Sequence, residues 1–532
     1  MGAETVEKKN AEKFLFLPMI ALCLAQMGTS GDTYLLNVAT RSILEDLGAN
    51  MNQMQIATMV YALMASCFMM FGGMLGIKIG WNKNIKLGAL LCCLGELVAA
   101  FSPSILVFTW IGRVLTGIGG SLLIPSVFGT IVAIYKGQNQ IQAFGYLTAA
   151  VGLAYGIPLV AGAAVDKVGW RYVYAGMAVY FFITFLFSTK IPEIKREASF
   201  KLDYAGTALY AIGIFITVFS VSNISTWGLW EPLNPPFTVL GISPALPGLV
   251  LGIIFLIVLV KMEVKIEKNT GSALIPKSFF EKKQIGAGLL LNVIPYALSG
   301  AVSIVVIPYM QLVAGYSSFT TGILLFIGGL VMFVCSAYIP KVIKGKSIKK
   351  LILVSSVVGI IAFLILRFSL KPETVSIPLY MIGYILFCIM TAIYCTFAGP
   401  IVSSAMSARD AQQSGGIQPT SRNIGTTIGV GFIGMIMLVS MNGTFAKELK
   451  NVDISKETRA VVESTQMSLM SDEALKTMFE AQNVSEEDME VLLDANTATR
   501  EKSASYSLYA SAILLLVLGA YSVKHIPDKL EQ

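Results

Sequence analysis

Apolar residues in this chain come in blocks of about twenty, separated by short polar stretches, and lack the one-sided periodicity of a soluble fold. A helix of that length crosses the roughly 30 Å of hydrocarbon in a bilayer. Strands of a membrane barrel would instead alternate apolar and polar positions, and runs such as 249–260 and 351–366 show no alternation. The pattern therefore predicts an all-α membrane protein. Blocks at 14–38, 52–76, 85–102, 105–134, 141–165 and 171–190 form a first group of six. Two more follow at 203–222 and 242–262, then six at 284–313, 319–343, 349–368, 376–403, 413–441 and 505–524. The predicted order is six, two, six, or fourteen transmembrane helices.

This count divides the chain into a polar start (1–13), an N-terminal six-helix bundle (14–190), and a linker with two extra helices (191–283). Helices nine to thirteen (284–441), a long polar connection (442–504), and a last helix with its tail (505–532) complete it. The apolar block after residue 13 is too long for a removable signal peptide and lacks its cleavage site, so it should remain as the first helix.

Composition agrees with this picture: 55% of residues are hydrophobic and 13% charged. The net charge of +7 resembles a nucleic-acid signal until the charges are placed along the chain. Odd-to-even connections carry few basic residues, among them Arg41, Lys167, Arg171 and Lys371. Even-to-odd connections are crowded with them, including Lys78, Lys83, Lys86, Lys136, Lys190, Lys265, Lys283 and the run from Lys341 to Lys350. The positive-inside rule then puts both termini in the cytoplasm of a multi-pass cell-membrane protein. All seven cysteines fall in apolar blocks, so no disulfide between external loops is expected.

The 442–504 connection is net −6 and external by this count. Ser471 and Ser485 each precede an acidic residue at capping spacing, and apolar positions recur with helical period, so a helical hairpin is expected. It could act as a lid or a cation-attracting vestibule, or be a solvated helical insertion.

Ionisable groups inside the hydrocarbon are costly and point to function. Asp32, Glu96 and Arg113 lie deepest. Asp32 sits among Gly28, Thr29, Ser30, Gly31 and Thr33, which suggests a loosened helix beside a cavity. Its carboxylate could take up and release a proton, pair with a cationic substrate, or serve as structural partner to Arg113. Glu96 is a second proton or cation site, or a residue in a polar gap between helices. Arg113 opens a glycine-rich stretch through Gly117 to Gly120, where it could tune an acid or merely close an ion pair. In helix five, Gly152 and Gly156 have small-residue spacing, Pro158 kinks the helix, and Gly162 follows. That combination suits an interface on which two halves rock, as well as ordinary packing. Gly345-Lys346-Ser347 resembles the end of a phosphate-binding loop but has Pro340 where the first glycine belongs, and His525 is the only histidine, so neither an enzyme, a histidine-based metal site nor ATP-driven transport is expected.

Several segments together resemble the fourteen-helix drug/proton antiporter branch of the major facilitator superfamily, which includes QacA-type exporters. They are Asp32-Thr33 with Asn37-Val38-Ala39, Arg113 to Gly120 with Pro125, Gly156 to Gly162 with Gly169-Trp170-Arg171, Asp203 to Gly206, and Arg422 with Gly425 and Gly429. The resemblance implies two six-helix bundles with a pair inserted between them, and a secondary transporter working by alternating access. It also implies export of lipophilic, cationic or other small organic compounds against protons, with no cofactor, nucleic acid or obligate protein partner. Arg113 would take part in proton coupling. The segment from Gly73 to Lys83 resembles the superfamily's gating motif, but has Ile77 for the usual aspartate and Trp81 for the usual arginine. Lys78, Lys83 and Arg422 are its candidate gate residues, although Arg422 could equally anchor a helix end. Because the gating and antiporter motifs are altered, an uptake carrier for an organic acid or nutrient, coupled to protons or sodium, is the alternative.

Overall fold

The computed structural model describes residues 14–530 except 50, 195, 198, 199, 233, 234, 271, 272, 451, 453, 466 and 468. The first thirteen residues, one of the expected segments, lie outside the described residues.

Fourteen long helical rods are present among the described residues. The first six are α1 (Phe16–Leu47), α2 (Met51–Ile79), α3 (Trp81–Ala100), α4 (Ile105–Ile134), α5 (Gly137–Ala154, continued as Ile157–Val168) and α6 (Trp170–Ser188). An inserted pair follows, α7 (Tyr204–Trp227) and α8 (Ala245–Thr270). Then come α9 (Lys283–Val313), α10 (Ser318–Val342), α11 (Ile348–Ser369), α12 (Ile377–Ser404) and α13 (Ala408–Glu448). Two short helices, α14 (Lys456–Ser464) and α15 (Asp472–Glu480), precede the last rod, α16 (Glu486–His525). Twelve rods are apolar and long enough to cross a membrane by length and composition. The other two, α1 and α3, carry the carboxylates Asp32 and Glu96.

Side-chain caps start many of these helices. Asp203 accepts from the Gly206 amide at 2.8 Å, and Ser317, Ser347 and Ser407 do the same for α10, α11 and α13. Such caps satisfy backbone donors that would otherwise be orphaned at a helix start. Helix ends overrun the apolar blocks where polar residues support them. α1 continues beyond residue 38 through an Arg41–Glu45 ion pair and stops at Gly48, whose φ of +58° suits glycine.

The expected polar connection is shorter than 442–504, because α13 runs on to Glu448 and α16 already begins at Glu486. Between them α14 and α15 form a helical pair that packs its apolar face against the second half and leaves its polar face, with Glu457, Glu473, Lys476 and Glu480, exposed. Met467, Leu475, Phe479, Met489 and Leu492 are buried in the same apolar core as α9 to α12. Arg500, 1% exposed, holds Asp472 at 2.7 Å, and the Asp488 carboxylate accepts from Ser455 and Thr458 hydroxyls at 2.6 Å each.

Three apolar cores organise the chain: one within α1 to α6, one within α9 to α13 and α16, and a third beneath α7 and α8. The inserted pair leans on both halves, through Tyr210 donating to the Ser66 carbonyl of α2 and Val221 meeting Gly431 of α13. The halves meet along a seam of small residues. A Cβ on Gly73 would lie 2.8 Å from the Cα of Gly416, and one on Gly415 would lie 2.9 Å from the Cα of Gly129. On α5 and α10, Gly152 and Gly329 face each other with the same lack of room. Gln138 donates to the Pro340 carbonyl (2.7 Å), Ser403 to Gln140 (2.8 Å) and Asn423 to Ser66 (3.1 Å), all across the seam. Gly73 and Gly129 lie near the last turns of α2 and α4, and Gly415 near the start of α13, so the halves are shut at the lysine-rich end of the bundle.

Candidate functional site

The three intramembrane charges singled out from the sequence converge on one point. Arg113 donates from Nη1 to Asp32 Oδ1 at 2.9 Å and from Nη2 to Asp32 Oδ2 at 3.0 Å, a bidentate pair. Glu96 Oε1 lies 3.6 Å from the same Nη1. All three side chains are at most 1% exposed.

Local backbone explains how charges from three helices meet. Arg113 closes a π-helical stretch, Phe108–Arg113, within α4, a wide turn that re-aims the side chains following it. Each charge has a glycine immediately before it, Gly112 before Arg113 and Gly95 before Glu96. A Cβ on Gly95 would meet Thr116 at 2.4 Å, and one on Gly112 would meet the Ala99 backbone at 3.2 Å. Bare backbone at both places lets α3 and α4 approach until Glu96 and Arg113 are neighbours. The glycines of α1 do similar work: Gly28 makes room for the Tyr180 ring and Gly31 for Ile157. Contrary to the sequence expectation, α1 is unbroken there and Asp32 is fully buried rather than on a cavity wall, since the guanidinium occupies both its oxygens.

Tyrosines complete the shell. The Tyr61 ring lies under the guanidinium, 4.6 Å from Cζ to the ring centroid, and its hydroxyl donates to the Thr29 carbonyl at 3.2 Å. Tyr174 of α6 is buried against Phe108 and Trp170. Both Glu96 oxygens, Arg113 Nε and the Tyr174 hydroxyl are buried without hydrogen-bond partners among the described residues. Neither tyrosine was singled out from the sequence, because a tyrosine in an apolar block has no outward sign of the charge it covers.

The other predicted residues divide. Gly117 sits against Tyr61 and Met64, tightening α2 on α4. Gly152 and Gly156 face α10, Pro158 lies in the first turn of the second segment of α5 after a break at Tyr155 and Gly156, and Gly162 lies near Val38 of α1. Trp170 and Arg171 both reach Asp46, tying α6 to the end of α1.

Lys78 and Lys83 form no ion pair among the described residues. Trp81, 1% exposed, fills that corner, its ring against Gly76 and Gly129. Arg422 lies fourteen residues inside α13, away from either helix end. It is 5% exposed, with Phe128 of α4 and Tyr296 of α9 on its faces.

A separate cavity of about 630 Å³ opens at the lysine-rich end of the seam, bordered by Lys136, Gln138, Lys344, Lys346, Ser403 and Lys529. Lys136 belongs to the loop between α4 and α5, where burial draws its ammonium below the usual lysine range. No group of three or more metal-ligating side chains is found among the described residues.

A model of the family described as Major Facilitator Superfamily matches residues 22–430. The quinolone resistance protein NorB of Staphylococcus aureus (strain MRSA252) is 25% identical over 411 residues, 76% of this chain and 84% of that protein. NorB of strain JH9 is 24% identical over the same length. Among solved structures, the proton:xylose symporter XylE bound to 6-bromo-6-deoxy-D-glucose superposes with a TM-score of 0.59 at 12% identity, covering 97% of this chain and 96% of that one. The human organic anion transporter MFSD10 (TETRAN) gives 0.53 at 13% identity, covering 80% and 93%. At these identities the two structures establish a shared fold.

Proposed function

Since the chain belongs to the major facilitator superfamily and is a membrane transporter rather than an enzyme, we propose that it exports lipophilic organic compounds, cations among them, in exchange for protons. The observation that carries this reading is the Asp32–Arg113–Glu96 triad. One guanidinium cannot balance two ionised carboxylates in a low-dielectric interior, so the cluster holds a proton as part of its resting charge count. Moving a proton on or off one carboxylate changes whether Arg113 is shared or held by Asp32 alone. That alters the packing of α1, α3 and α4, the helices that would have to tilt in alternating access. The similarity to NorB, described as a quinolone resistance protein, supports a drug-like substrate.

The fourteen-helix arrangement, with α7 and α8 between the halves, supports placement in the drug/proton antiporter branch. The gathering of basic residues at one end supports a cytoplasmic location for that end and for both termini. The seam is then shut toward the cytoplasm, the arrangement from which protons enter and compound leaves. Gly152 and Gly156, with the break before Pro158, give α5 a jointed surface for rocking against α10, Gly162 gives it room beside α1, and Gly117 lets α2 slide close to α4.

Ethidium flux into energised inverted vesicles tests the reading. The native chain accumulates ethidium when a proton gradient is imposed, and Asp32→Asn abolishes the gradient-driven component. Export that survives Asp32→Asn unchanged sinks the proposal. Substrate accumulation by right-side-out vesicles instead would favour an uptake carrier, the reading to which the altered gating segment at Ile77 and Trp81 points.

A further inference from the structure

Arg422 and Arg113 are both arginines buried in the membrane, yet only one of them has a counter-charge. Two carboxylates surround Arg113. Among the described residues, none comes within ion-pair distance of Arg422.

What surrounds Arg422 covers its faces and leaves part of its edge unmet. The Phe128 centroid lies 4.7 Å from Cζ and the Tyr296 centroid 5.4 Å. Nε donates to Asn292 Oδ1 at 3.2 Å, and Nη1 reaches the Tyr296 hydroxyl at 3.4 Å. Nη2 is buried and has no acceptor among the described residues. Asn292, itself 0% exposed, extends the pattern. A guanidinium can only donate, so the asparagine must turn its oxygen toward Arg422, which leaves Nδ2 facing away. That amide nitrogen is also buried and without an acceptor among the described residues. Two adjacent groups thus offer donors and a full positive charge, with no acceptor supplied. Aromatic faces stabilise a cation but do not fill its N–H edge.

We propose that Arg422 and Asn292 form a receptor for a carboxylate, or an equivalent oxyanion, on the transported compound. Among the lipophilic compounds carried, amphipathic acids and zwitterions are then favoured, and permanent cations such as ethidium are carried but held less tightly. This rests on the reading of the chain as an exporter of lipophilic compounds and names their chemical class. The position suits the role, because Phe128 belongs to α4 and Arg422 to α13, on opposite sides of the seam. Rocking of the halves withdraws Phe128 and uncovers the guanidinium toward the lysine-rich end. The two halves also differ in charge: the first holds two carboxylates around one guanidinium, and the second presents a guanidinium alone. A compound with an amine at one end and an acid at the other meets a complementary partner in each.

The test uses the full chain in lipid nanodiscs, in chloride-free buffer so that halide does not compete. Two dyes that differ by one methyl ester, the free acid rhodamine 110 and its ester rhodamine 123, are titrated by fluorescence anisotropy. The readout is the ratio of their two Kd values, which cancels any general loss of binding. The native chain prefers the acid by about tenfold or more, the size of one charge-assisted hydrogen bond. Arg422→Gln removes the charge and Asn292→Asp supplies an internal anion, and each brings the ratio to about one. Arg422→Lys keeps part of the preference, since charge remains without the planar fork. A native chain without acid preference, or a preference that persists in both Arg422→Gln and Asn292→Asp, overturns the proposal. Acid preference without proton-driven flux would keep the receptor and remove the coupling reading, so the two failures are distinguishable.

Discussion

Asp32 and Glu96 are chemically near-identical and equally buried, yet the guanidinium treats them differently. Asp32 receives two charge-assisted hydrogen bonds, whereas Glu96 stands 3.6 Å off with both oxygens unmet. Removing the charge of Asp32 leaves Arg113 with one distant partner and should cost up to about 3–5 kcal/mol of stability. Glu96→Gln keeps the shape of a side chain that is neutral when it carries the cluster's proton, and should change stability by no more than about 1 kcal/mol. Thermal unfolding of Asp32→Asn and Glu96→Gln in the same detergent measures the difference, and equal losses would contradict the pairing. The presence of these three charges was readable from the sequence, because an ionisable residue inside an apolar block announces itself. Their pairing was not, since Asp32 and Arg113 are separated by 81 positions and nothing local says which oxygen faces which nitrogen. Arg422 shows the same limit. Its residue type was visible, but its lack of a carboxylate is a property of α4, α9 and α13 packed together.

At the scale of helices, the contact between α3 and α4 decides whether the charges meet. Gly95→Ala pushes a methyl group to 2.4–2.6 Å from Thr116 side chain and backbone, where neighbouring atoms cannot simply rotate away. Overpacking of this kind costs about 1–3 kcal/mol, and it also separates Glu96 from Arg113. Gly176→Ala on α6 meets nothing within 4 Å and serves as the control. Melting temperature and proton-driven flux should both fall for Gly95→Ala and stay at the native level for Gly176→Ala. Fourteen apolar blocks gave α1 to α13 and α16 with the correct order, because block length alone reports a membrane span. Helix ends were less legible: α13 and α16 continue well past their apolar stretches, α16 over forty residues or about 60 Å. Their outer turns are polar in composition and gain support from contacts with α14 and α15 that no local pattern encodes.

For the whole molecule, the proposed change of state turns on the seam. Gly73 and Gly416 touch backbone to backbone, so a large side chain at either cannot coexist with closure at the lysine-rich end. Gly73→Leu should therefore shift the population toward the state open at that end, read as a longer distance between spin labels on α4 and α13. Unchanged distances would mean that the seam closes by other contacts. The altered gating segment fits this arrangement. Where the superfamily's usual motif has charges, Trp81 fills the corner between α2 and α4 with an apolar ring.

No ion pair joins the two halves among the described residues. Closure rests on glycine backbones, three neutral hydrogen bonds and the buried face of Phe128 against Arg422. Dissolved ions screen charges and leave such contacts almost untouched. Ionic strength on the basic side is thus a poor handle on this gate, and a cell under osmotic stress could concentrate its salts without prising the halves apart. In the proposed cycle, control would fall to the two places where buried charge is incompletely matched.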